Sequence, residues 1–107
     1  MKVYFLAGAE ADLKELRRYI LRNFGEPVWQ DSYQKIKDEV RLLQTAPESG
    51  SVPEELADLE LGRYRQSLAG VNRILYEIRD DALYIHIVCD GRRDMKTLLN
   101  RRLLRGQ

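Results

Sequence analysis

The sequence predicts an α+β fold of order β-α-α-β-β-β-α, an antiparallel sheet packed against an N-terminal α-helical hairpin, with a short C-terminal helix. Three observations carry that reading. Apolar residues in the first half recur every three or four positions, the period of a helix face. From about residue 61 the period drops to two, that of a half-buried strand. Glycine- and aspartate-containing breaks divide this second stretch into segments of hairpin length.

Each element follows in turn. Lys2-Val3-Tyr4-Phe5-Leu6 is a short apolar run ending at Ala7-Gly8 and reads as a buried strand. A helix follows over about 9–24, with Leu13, Leu16, Ile20 and Phe24 on one face and Glu10 and Asp12 in the first turn, where the helix dipole favours anions. Gly25 is placed to close it. Pro27 suits the first turn of a second helix, whose Trp29, Tyr33, Ile36, Val40 and Leu43 form a 4-3-4-3 seam that lays it antiparallel on the first. Pro47 ends that helix, and 47–53 is a Pro/Gly/Ser loop leading into the acidic segment 54–60, which has room for one short helical turn.

Three strands are expected over 61–68, 72–79 and 82–89, with turns at Ala69-Gly70 and Asp80-Asp81. The second turn pairs Arg73 with Val88, Leu75 with His86 and Glu77 with Tyr84. Ile74, Tyr76 and Ile78 then share an apolar face with Leu83, Ile85, Ile87 and Cys89, while the opposite face mixes cations with aromatics. Asp90-Gly91 breaks the last strand, and a helix over 93–105 turns Met95, Leu98, Leu99 and Leu103 inward.

The chain's 107 residues suffice for one domain spanning 1–107, and 44% hydrophobic with 33% charged residues excludes a disordered or low-complexity chain. No apolar run is long enough for a transmembrane helix, and the N-terminus lacks signal-peptide character, so a cytoplasmic protein with no membrane partner is expected. A single cysteine, Cys89, and a single histidine, His86, leave no internal disulfide and argue against a His/Cys metal site. The glycines form no phosphate-binding loop.

The net charge of +1 hides a polarity: residues 1–62 carry 8 Lys/Arg against 12 Asp/Glu, and residues 63–107 carry 10 against 5. Nine of those ten C-terminal cations are arginine, whose planar fork suits phosphates and carboxylates. A polyanionic or acidic-peptide partner and an ordinary solvated surface both fit. Arg73, at the start of one strand, and Arg93, just past the next, fall at one edge of the meander, and Arg65 joins them if the intervening turn sets the matching register. Three converging guanidiniums would hold a scissile phosphate. Unconnected ion pairs with Glu77, Asp90 and Asp94 are the alternative. His86 is free to act as an acid or base or to pack structurally between Leu75 and Tyr84. Cys89 reads as core, on the opposite face from His86, which excludes a nucleophilic pair.

The run Gly62-Arg63-Tyr64-Arg65-Gln66-Ser67-Leu68, followed by Asn72-Arg73-Ile74-Leu75-Tyr76-Glu77-Ile78, resembles the central strands of the RelE/ParE toxin superfamily. So does Leu83-Tyr84-Ile85-His86-Ile87-Val88, closed by Gly91-Arg92-Arg93-Asp94-Met95. Ala9-Glu10-Ala11-Asp12-Leu13, with Tyr19 and Gly25, resembles the ParE side of that superfamily. The resemblance spans nearly the whole chain. It implies a toxin of a type II toxin–antitoxin system, needing no cofactor and held inactive by a cognate antitoxin.

RelE-like members cut mRNA on the ribosome without metal, and their phosphate-binding residues match Arg73, Arg93 and Arg65. The acid or base they place in the final segment is replaced here by Leu98-Leu99, and a second basic strand residue by Ser67; His86 is the remaining proton-transfer candidate. The pattern therefore favours the ParE-like branch, whose members poison DNA gyrase. A ribosome-dependent endoribonuclease is the alternative, and a non-toxic binding module of the same fold a third. Antitoxin contacts are expected around Trp29 and Tyr33 on the hairpin and on the basic sheet face with Arg65 and Arg73, although Trp29 also suits the core.

Overall fold

The computed structural model describes residues 1–59 and 63–103. Its elements are β1 (Lys2–Phe5), α1 (Ala7–Asn23), α2 (Glu26–Thr45), two 3₁₀ segments (Pro47–Ser49 and Glu54–Leu59), β2 (Tyr64–Ala69), β3 (Asn72–Arg79), β4 (Ala82–Asp90) and α3 (Met95–Leu103). The order is the one expected from periodicity. Leu61 and Gly62, expected at the start of the second strand, and Arg105, expected in the last helix, lie outside the described residues, as does the side chain of Leu103.

α1 stops where Gly25 adopts φ 93°, and the amides of Phe24 and Gly25 both donate to the Ile20 carbonyl. Phe24 falls outside the helix and is 60% exposed, edge-on to Tyr19, so it does not continue the apolar face as the spacing suggests. α2 starts with Pro27 in its first turn, where a missing N–H costs nothing, and buries Trp29, Ile36, Val40 and Leu43.

The sheet order is β1-β4-β3-β2. The three later strands form the expected meander, but β1 runs parallel to β4, so the sheet is mixed and not wholly antiparallel. The chain between them runs through the helical hairpin to β2 at the far edge and back through β3, which supplies the long connection that a parallel pair requires. The β2–β3 turn is Gly70-Val71, one residue later than expected, with Gly70 at φ 64°.

The β3–β4 register corrects a second expectation. Glu77 pairs with Tyr84 as anticipated, but Leu75 pairs with Ile87 and Arg73 with Cys89, because the register shifts between Leu75 and Tyr76. His86 is the extra residue of a β-bulge, and beyond it every β4 side chain changes face. Leu83, Ile85 and Val88 face the helical hairpin, packing with Ile36, Val40, Leu43, Ile74 and Tyr76. Ile87 and Cys89 face the other way, into a second cluster with Leu56, Tyr64, Leu75, Met95, Leu98 and Leu99. The face expected to be polar is thus half covered by α3, and the sheet is a middle layer between two cores.

Candidate functional site

The three arginines anticipated at one phosphate site occupy three different surroundings. Arg73 lies on the α3 side, paired across the ladder with Leu68 and Cys89. Its guanidinium grips Glu55 with two hydrogen bonds of 2.9 and 3.0 Å, while its Nε donates to Gln66 Oε1 at 2.9 Å. The side chain is 11% exposed. The Arg73 hydrogen bonds hold the Glu55 carboxyl below its ordinary range against the opposing effect of burial, and Glu55 raises Arg73 in turn.

Arg65 pairs with Tyr76, which puts it on the helical-hairpin side of the sheet, opposite Arg73. It donates to the Gly50 carbonyl at 2.8 Å, while Tyr76 Oη donates to the Pro47 carbonyl at 2.6 Å and accepts from the Gly50 amide at 3.1 Å. Arg65 and Tyr76 together clamp the loop after α2. Arg93 is exposed beyond β4, on the rim of a groove.

His86 sits 3.0 Å from Glu77 Oε1 and edge-on to Tyr64, with ring centroids 5.1 Å apart. Burial lowers its pKa, and the Glu77 carboxylate only partly offsets this. Glu77 is 5% exposed; burial alone would raise its pKa, but the hydrogen bonds from Arg79 and His86 outweigh it and hold the carboxyl below its ordinary value. The bulge also brings Cys89 to the His86 side of the sheet, contrary to the opposite-face expectation. Cys89 nevertheless pairs with Arg73, four pairs along the ladder from Glu77, and desolvation pushes its thiol up to about 11. A protonated thiol away from the imidazole is no nucleophile.

Trp29 is buried at 6% exposure, and Tyr33, 37% exposed, stacks on it at 5.2 Å with Lys37 over its ring. The pair therefore has an inner, core member and an outer, accessible one.

A groove of about 630 Å³ runs between α1, the end of β4 and α3. Arg18, Tyr19 and Arg22 of α1 face Arg92 and Arg93 after β4 and Arg101 and Arg102 of α3 across it. Its floor is built on Asp12, which pairs with Arg102 and accepts the Val88 amide at 3.0 Å, while Arg102 also donates to the His86 carbonyl at 3.0 Å. Sequence reasoning missed this groove. The surplus of C-terminal arginines was the available signal, but their convergence on α1 depends on how α3 docks. Among the described residues no group of three His, Cys, Asp or Glu side chains is placed to hold a metal ion. No helix among them is long and apolar enough to cross a membrane.

Comparison with known proteins adds two findings. The profile of a family described as the ParE toxin of type II toxin–antitoxin system, parDE, matches residues 3–96. Among solved structures the chain is similar to one titled as a chromosomal ParDE TA system from P. aeruginosa, with a TM-score of 0.67 and 17% sequence identity over 84% of this chain and 95% of that one. The identity is low enough that this likeness speaks for the fold alone. No curated protein matches.

Proposed function

The chain belongs to the ParE toxin family of type II toxin–antitoxin systems, and from that premise we propose that it acts by binding and not by catalysis, poisoning DNA gyrase until a cognate antitoxin neutralises it. The observation that supports this reading over RNA cleavage is the state of Arg73. A phosphate-cleaving site needs a guanidinium free to meet the phosphate and a nearby group to move a proton. Arg73 is instead engaged on both edges by Glu55 and Gln66, and Arg65 by backbone carbonyls on the other face. The C-terminal positions where an acid or base would serve are Leu98 and Leu99, buried in the second core.

The antitoxin reading rests on the hairpin surface. Tyr33 offers an exposed aromatic ring braced from behind by Trp29, suited to an amphipathic segment laid along α2. Arg65 and Arg73 are bound within the toxin, and they contribute to an antitoxin contact only if the partner displaces Glu55 or the 47–51 loop.

The deciding experiment uses the protein purified free of antitoxin in two assays, plasmid supercoiling by gyrase and mRNA cleavage on programmed ribosomes. Lost supercoiling with intact mRNA is expected. Cleaved mRNA with untouched gyrase overturns the proposal.

A further inference from the structure

The α1–α3 groove holds more positive charge than its own carboxylates neutralise. Asp12 and Asp90 are engaged by Arg102 and Arg92, which leaves Glu15 as the one further carboxylate on the lining. Against it stand Arg18, Arg22, Arg93 and Arg101, all exposed and none in an ion pair among the described residues. They come from three separate elements, so their convergence is a property of the fold and not of one charged helix face.

The second observation is aromatic. Tyr19, 52% exposed, lines the groove between Arg18 and Arg22, and Phe24, 60% exposed, meets its ring edge-on at 6.1 Å. Two large apolar rings left in water beside unneutralised guanidiniums make a surface that alternates charge contacts with stacking contacts. A purely acidic peptide, without apolar side chains, would satisfy the arginines and leave the rings idle. Duplex DNA would satisfy the arginines with its bases sealed inside the stack. A single strand offers phosphates at a spacing that follows a groove, together with open base faces for the rings.

We propose that the α1–α3 groove binds single-stranded nucleic acid, with Arg18, Arg22, Arg93 and Arg101 on its phosphates and Tyr19 and Phe24 against its bases. The contact uses features that DNA and RNA share. It is independent of the gyrase reading, because binding is measured with no gyrase present.

The test is fluorescence anisotropy of labelled 12-nucleotide oligothymidylate and oligouridylate titrated with the full chain. Saturable binding of at least one is expected, and the stronger of the two identifies the natural strand. Affinity should fall with salt, with a logarithmic slope of about 0.7 per phosphate contact, and the Arg22→Ala/Arg101→Ala double variant should weaken it about tenfold or more and lower the slope. Tyr19→Ala should cost about fivefold or more, with recovery in Tyr19→Trp. Both sets of side chains are exposed, and unchanged thermal unfolding would confirm that the variants are folded. No saturable binding, competition by polyglutamate or by duplex DNA as effective as by the single strand, or indifference to the Tyr19 and arginine substitutions each overturns the assignment.

Discussion

Asp12 and Arg102 form an ion pair across 90 residues of sequence, and the same carboxylate accepts the backbone amide of Val88. One side chain on α1 thereby ties α3 to the central strand β4. Both members are largely buried, at 14% and 18% exposure, so neither charge is left to bulk water. The interaction holds the second core closed.

Removing one partner should therefore cost more than a surface ion pair. Asp12→Ala should lower unfolding free energy by about 2–4 kcal/mol, since it strands a mostly buried guanidinium. Arg102→Ala should behave similarly, and the double variant should fall well short of the summed losses in urea denaturation.

The Arg73–Glu55 pair should stabilise the fold by on the order of 1 kcal/mol without serving activity. Because Glu55 is depressed below its ordinary 4.5 in the folded state, its contribution is complete above that value and lost as the pH falls through the lower folded pKa. The stability gap between the native chain and Glu55→Gln should close on acidification. Arg73→Ala should still arrest growth when expressed without antitoxin; abolished toxicity in a folded variant would point to the nuclease alternative.

His86 gives the opposite kind of titrating group, a cation that folding disfavours. Its folded pKa lies below the ordinary 6.5, so the unfolded chain binds the proton first and stability falls as the pH drops from 6.5 through the folded value. Urea midpoints at pH 7.5 and 5.5 should differ less in His86→Gln than in the native sequence.

Gly50 has an ordinary φ of −73°, so the constraint on it is space and not backbone conformation. A Cβ there would collide with the Gln66 carbonyl and with Tyr76 Oη. Gly50→Ala should cost about 1–3 kcal/mol, the range for overpacking, as read from the thermal midpoint. Tyr76→Phe, which keeps the ring and loses two loop hydrogen bonds, should cost about 1–3 kcal/mol.

Much of the fold was legible from spacing. The α2 seam names the residues that become buried, and β3 has the bounds that alternation assigns. The losses trace to single residues. A bulge adds one position without changing composition, so nothing in β4 announced that Ile87 and Cys89 would leave the face of Leu83 and Ile85. The two-residue turn at Gly70-Val71 fixes Arg65 opposite Tyr76, and that pairing puts it on the other face of the sheet from Arg73. The candidate site fared worse because convergence is a three-dimensional fact. Asp12 read as a helix-dipole residue, and Arg102 as one arginine of nine; only the docking of α3 makes them partners and assembles the groove.

The parallel pairing of β1 with β4 carries a kinetic consequence. Lys2 meets Ala82, so the ladder that anchors the first strand cannot form until the chain has closed a loop of most of its length. Contacts of such long range slow folding far more than they affect final stability. The α1–α2 hairpin, whose contacts are local, can form early and must then wait with its apolar stripe uncovered until the meander arrives. During synthesis at about 5–20 residues per second, that interval is several seconds. Neither core can close before β4, the strand that both share, has arrived.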